Sequence, residues 1–275
     1  VITPFVDVEW LAANYDEVVV ADLRWYPDGR SGRAAYEQGH LPGAVFVDFE
    51  ASLAAHGSDD GGRHPFPAPD EFAAAMAAAG IGDGDTVVAY DDEGGVFAAR
   101  LVFMLRIIGH EAALLDGGIG SWTGPLEPGP GEPVEPGSFR SSPWPADRLV
   151  TIDRAADPAG AVLIDARQRD RYEGAPDPFD PRAGHIPGAR SLPCRENLEP
   201  GGRLLPVEEL RGRLASVGIE AATPVISYCG SGVTACHNLL VIEQVGYEPG
   251  QLFPGSWSQW SRDPEREAAT GPDPG

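Results

Sequence analysis

Gly39-His40-Leu41-Pro42-Gly43-Ala44 and Gly184-His185-Ile186-Pro187-Gly188-Ala189 are one phrase written twice, 145 residues apart. Upstream of each copy, a short apolar run ends in Asp with Arg two residues on: Val18-Val19-Val20-Ala21-Asp22-Leu23-Arg24 and Val162-Leu163-Ile164-Asp165-Ala166-Arg167. Runs of this length and composition read as buried strands. Downstream, Thr86-Val87-Val88-Ala89-Tyr90-Asp91 matches Pro224-Val225-Ile226-Ser227-Tyr228-Cys229, and Gly117 to Trp122 matches Gly255 to Trp260, both at an offset of 138 residues. Four landmarks in the same order predict a duplicated unit. A solenoid needs three or more short repeats, so two long copies indicate two domains.

Within each copy, short β-branched runs alternate with helical stretches at 69–79, 97–108, 207–217 and 235–245. That alternation predicts an α/β fold in which each domain is a mainly parallel sheet flanked by helices. Residues 124–145 are crowded with Pro and Gly and cannot form a helix or a central strand. The expected division is therefore a first domain at 1–123, a connector at 124–147 and a second domain at 148–275. In such sheets ligands sit beyond the carboxyl ends of the strands, where the sequence places Asp91 in one copy and Cys229 in the other.

The 275 residues carry 42 acidic and 20 basic side chains, a formal charge of −22. A field of that sign repels nucleic acid and anionic membrane, so neither is an expected partner. It also repels anionic substrates at long range, so an anion site must be built from local arginines and backbone amides. No apolar run approaches the length that crosses a bilayer. Cys194, Cys229 and Cys236 are too few and too odd for a disulfide framework or a four-cysteine zinc site, which fits a reducing, cytoplasmic compartment.

Strand 225–228 runs directly into Cys229-Gly230-Ser231-Gly232-Val233-Thr234, and a helical stretch follows. Glycines allow the chain to turn tightly there, and the amides that open the helix favour a negative charge. An anionic, nucleophilic sulfur at Cys229 is the expected result. A phosphatase loop would need an arginine six residues after the cysteine, and that position is Ala235. A disulfide oxidoreductase would want Cys-X-X-Cys, whereas Cys229 and Cys236 stand seven apart.

On these residues the chain resembles the tandem-domain rhodanese family, the thiosulfate and 3-mercaptopyruvate sulfurtransferases, from about Val6 to Gly271. The loop at 229–235, both Gly-His-(Leu/Ile)-Pro-Gly-Ala phrases and Gly255-Ser256-Trp257-Ser258-Gln259-Trp260 carry the resemblance. It implies that only the second domain is active, in keeping with Asp91 at the cysteine position of the first copy. It further implies that Cys229 takes a sulfur atom as a persulfide and passes it on. The persulfide would be held by Gly230, Gly232, Val233 and Thr234, with Ser231 and His40 sharing proton transfer. Arg171 matches the family's substrate-anion arginine. A second arginine nine residues on is replaced by Asp180, leaving Arg182 as the expected substitute.

The loop lacks the basic residues that follow the cysteine in thiosulfate-preferring members, so the expected donor is 3-mercaptopyruvate, with thiosulfate as the alternative. The resemblance implies a thiol acceptor such as thioredoxin or glutathione, or cyanide, and neither metal nor organic cofactor. A rhodanese-like module without catalysis, binding partners or sensing redox state through Cys229 and Cys236, is the alternative of a different class.

Overall fold

The computed structural model describes residues 1–55, 61–132 and 135–275, so residues 133 and 134 of the expected connector, and 56–60 of the expected first domain, lie outside the described residues. Two compact units are present. The first carries strands β1 (Phe5–Val6), β2 (Val18–Asp22), β3 (Val45–Phe46), β4 (Thr86–Tyr90) and β5 (Ala112–Leu115) in the order β1-β5-β4-β2-β3. The second carries β6 (Val162–Asp165), β7 (Arg190–Ser191), β8 (Val225–Tyr228) and β9 (Gln251–Leu252) in the order β7-β6-β8-β9. All neighbouring strands are parallel. Leu149 makes a parallel bridge to Leu252, as β1 does to β5, so the duplication extends to the sheet edge.

Helices α1 (Val8–Ala13), α2 (Gly32–Gln38), α3 (Phe49–Ser52), α4 (Pro69–Ala78) and α5 (Ala99–Ile107) belong to the first unit. Helices α6 (Ile152–Ala156), α7 (Arg169–Glu173), α8 (Val207–Ser216), α9 (Ala235–Gln244) and α10 (Ser256–Trp260) belong to the second. The long helices fall within two residues of the stretches expected from periodicity. Helices α5 and α9 follow the two loops that begin at Asp91 and Cys229. Their side chains are buried from Ala99 to Leu105 and from Ala235 to Ile242, which is why both are apolar around most of their circumference. No helix among the described residues is long and apolar enough to cross a membrane.

The repeated phrase has a structural explanation that holds in both copies. Asp22 pairs with Arg24 and Asp165 with Arg167, each at 2.6 Å, and the two guanidinium groups reach on to the carbonyls of Gly39 and Gly184. His40 stacks on Tyr36 with ring centroids 3.8 Å apart, and His185 stacks on Tyr172 at 3.7 Å. The tyrosine hydroxyls donate to the carbonyls of Ala44 and Ala189, at the end of each phrase. Leu41 and Ile186 donate their amides to the hydroxyls of Tyr90 and Tyr228. Burial works against the charge on Arg167, but Asp165 outweighs it, so the guanidinium is held above its ordinary range.

The units are not contiguous in sequence. The first comprises Val1–Ala55, Phe66–Trp144 and Leu198–Leu204; the second comprises the described part of 56–65, Pro145–Asn197 and Leu205–Gly275. Most of the expected connector is thus a strap on the first unit. Glu127 bridges His40, Gly129 donates to the Glu37 carbonyl, and Trp144 packs against Phe66 and Phe72. Residues 198–204 join the first unit through the Leu204 amide, which donates to Asp116 at 2.7 Å. Residues 61–65 join the second because the Arg63 amide donates to Ser258 Oγ at 3.0 Å.

Truncating one member of a buried ion pair strands the other charge, at a cost of about 3–5 kcal/mol. Arg167→Met therefore lowers the stability of the second unit by about that amount in urea denaturation. A loss under about 1 kcal/mol would show that the Asp165–Arg167 brace is dispensable.

Candidate active site

Strand β8 ends at Tyr228, and the six residues that follow wrap the start of α9. Cys229 is 2% exposed. Its amide donates to Ser256 Oγ at 3.1 Å, and its carbonyl accepts from Trp257 N at 2.9 Å. The Gly230 carbonyl accepts from Ser258 N at 2.8 Å. The first turn of α10 thus fixes the loop from one side. Gly232 adopts φ +75°, and a Cβ there would lie 2.4 Å from the Pro254 carbonyl, so only glycine fits. Cys236 faces the Gly232 carbonyl at 3.4 Å from within α9, fully buried. Burial pushes the Cys194 thiol up to about 12, and the Thr234 hydroxyl is hydrogen-bonded to it.

The corresponding loop of the first copy shows what this backbone does with an anion. Asp91 follows β4 as Cys229 follows β8, and it is fully buried. Its carboxylate accepts four peptide N–H bonds, from Glu93, Gly95, Phe97 and Ala98, at 2.7–2.9 Å. Burial holds the Asp91 carboxyl above its ordinary range, and the four amides offset only part of that rise.

Ser231 lies in the Cys229 loop, and its hydroxyl oxygen stands 2.7 Å from His64 Nδ1. This corrects the expectation for His40. That histidine is enclosed in the first unit, stacked on Tyr36 with Nδ1 on the Tyr36 carbonyl, the same arrangement His185 makes in the second copy. A second correction concerns Arg182. Its guanidinium donates to the carbonyls of Ser261, Arg266, Trp260 and Asp263 at 2.6–2.9 Å, closing the end of α10 rather than facing the loop.

Arg171 does stand at the loop, joined by Arg63, which sequence reasoning missed. A Cβ built on Gly230 would lie 3.0 Å from Arg63 Nη2 and 3.3 Å from Arg171 Nη2, so two guanidinium groups converge on this one glycine. Arg171 also donates Nε to Asp177 at 2.9 Å, and Arg63 pairs with Asp180. Only the short stretch Gly61-Gly62-Arg63-His64-Pro65, between α3 and α4, marks the missed residues. Its signal is Gly62, which adopts φ +85° and would meet the Gly255 carbonyl at 2.6 Å with a Cβ. Among the described residues no group of three or more His, Cys, Asp or Glu side chains could hold a metal ion.

The family described as Rhodanese-like domain matches residues 7–125 and 151–263. A Pseudomonas aeruginosa protein named "Probable 3-mercaptopyruvate sulfurtransferase" is 40% identical over 277 residues, covering 95% of this chain and 96% of the relative. The mitochondrial thiosulfate/3-mercaptopyruvate sulfurtransferase 1 of Arabidopsis thaliana is 33% identical over 297 residues, covering 95% of this chain and 77% of the relative. The crystal structure of SseA from Escherichia coli, described as a 3-mercaptopyruvate sulfotransferase of "Rhodanese" fold, superposes with a TM-score of 0.82 at 33% identity, over 94% of this chain and all of that one.

His64→Ala removes the imidazole that stands 2.7 Å from Ser231 Oγ, and general acid–base assistance is worth about 10²–10⁴ in rate. The variant is expected to lose at least about tenfold in kcat while its melting temperature stays near wild type. His40→Phe is expected to do the opposite, losing about 1–3 kcal/mol of stability with kcat retained. Unchanged turnover in His64→Ala would remove His64 from the chemistry.

Proposed function

We propose that this chain, which belongs to the rhodanese family and is a sulfurtransferase, takes sulfur from 3-mercaptopyruvate through a persulfide on Cys229. The observation that carries the choice of donor is the convergence of Arg63 and Arg171 on Gly230. They supply cations for a carboxylate next to the nucleophile, in a protein whose overall charge repels anions. A basic side chain at position 230, the thiosulfate-preferring pattern, would run into both guanidinium groups. The loop therefore stays neutral and small, and the arginines come from other segments.

In this reading the Cys229 thiolate attacks the donor's sulfur, forming an S–S bond as the C–S bond breaks. The electron pair goes to the departing carbon, which leaves as the enolate of pyruvate. The proton from the donor thiol ends on that carbon, relayed by Ser231 and His64, so the products are pyruvate and the Cys229 persulfide anion. Peptide N–H groups of Gly230, Gly232, Val233 and Thr234 hold the persulfide; among them Val233 is the counterpart of Gly95, whose amide donates to the Asp91 carboxylate in the other copy. An acceptor thiol, on thioredoxin or glutathione, or cyanide then attacks the outer sulfur and restores the thiolate, so transfer is split into two easier steps. All three cysteines are free, which supports a reducing compartment such as the cytoplasm.

The test is steady-state kinetics with each donor. Mercaptopyruvate is expected to give the higher kcat/KM, and Arg171→Ala and Arg63→Ala are each expected to raise its KM by about tenfold or more, the worth of a charge-assisted hydrogen bond. A preference for thiosulfate would establish the alternative donor. Retained efficiency with both donors in both variants would show that the anion site lies elsewhere.

A further inference from the structure

The arginines at Gly230 are not free cations. Arg63 pairs with Asp180 through Nη1, and Arg171 pairs with Asp177 through Nε and Nη2. Asp177 is committed, since it also stands 4.0 Å from Arg167. Asp180 is different. One carboxylate oxygen meets Arg63, while the other, Oδ2, is buried without a hydrogen bond and stands 3.9 Å from Arg171 Nη2. The carboxylate thus spans the two guanidinium groups that line Gly230, and its side chain is shut off from solvent.

We propose that Asp180 sets the charge a sulfur donor can carry, by placing a fixed carboxylate between Arg63 and Arg171 so that the site takes a monoanion and disfavours a dianion. The inference rests on the reading that these arginines bind the donor. Two arginines against Asp177 and Asp180 leave the cluster with no net charge. A mercaptopyruvate carboxylate adds one negative charge, which the remaining guanidinium N–H groups can meet. Thiosulfate adds two in the same space and feels the Asp180 carboxylate twice as strongly, because Coulomb energy scales with the product of charges. Burial sharpens the distinction, since solvent screening is weak there. The same burial pushes the Asp180 carboxyl up, Arg63 pulls it down and Asp177 pushes it up again, so the carboxylate depends on its arginine partner for its ionised form. Asp180 is therefore a positioning and selectivity residue that acts through Arg63 and Arg171 and need not touch the reacting sulfur.

The test compares wild type with Asp180→Asn, which keeps the shape and a carbonyl acceptor for Arg63, and with Asp180→Ser as a second variant should the first fold poorly. Calorimetric dissociation constants are measured for two unreactive probes, pyruvate as monoanion and oxalate as dianion. Removing one negative charge is expected to tighten oxalate at least about tenfold and pyruvate by about the square root of that factor, the two-to-one ratio that charge products require. In turnover, kcat/KM for thiosulfate is expected to rise by the larger factor and that for mercaptopyruvate by the smaller. Equal factors for the two valences, or weaker binding of both, would overturn the role of Asp180. Failure of the wild type to use either donor would count against the sulfurtransferase chemistry of this site, and the oxalate-to-pyruvate comparison would still decide the charge filter.

Discussion

A negative charge held by peptide N–H groups where a buried parallel strand turns into a helix is the constraint on which this protein is built. In the first copy the charge is the Asp91 carboxylate, met by four amides and sealed from solvent. In the second copy a cysteine stands at the same topological position, after the same tyrosine and before a helix buried in the same way. The first loop has closed on its own anion. A carboxylate cannot carry a transferable sulfur, so under the proposed chemistry the first copy serves as scaffold and the Cys229 loop as the reacting one.

Around that loop, polar groups are used twice over. The Asp165–Arg167 brace fixes the end of β6 and the Gly184 carbonyl, and Arg182 gathers four carbonyls at the end of α10. Those arginines are spent on backbone. Arg63 and Arg171, each paired with an aspartate, reach Gly230 from outside the Cys229 loop. Under the proposed function the arrangement answers a conflict in the sequence, where a chain of charge −22 has to receive an anion. In the proposed reading local guanidinium groups do so at short range, and their partners Asp177 and Asp180 limit the negative charge accepted there.

The fold was legible because its signals are local and repeated. Strand runs such as 18–22 and 162–165, the helical stretches and the offset of 138 residues all survive in the folded chain. The placement of Cys229, Ser231 and Arg171 near one another was legible for the same reason, since they sit in or beside those elements. His64 and Arg63 were not, because they arrive on a segment without periodicity whose position depends on contacts to Ser231 and Ser258, far away in sequence. His40 and Arg182 misled for the complementary reason. Sequence spacing gives a residue's neighbourhood but not its direction, and stacking on Tyr36 and a ring of carbonyls turn these two side chains to structural work.

The most direct measurement is the intact mass of the protein after brief exposure to 3-mercaptopyruvate without an acceptor, followed by peptide mapping. A gain of one sulfur atom, located on Cys229 and removed by cyanide, is the predicted result. An unchanged mass, or sulfur located on Cys194 or Cys236 instead, would contradict a persulfide formed on the loop that ends β8.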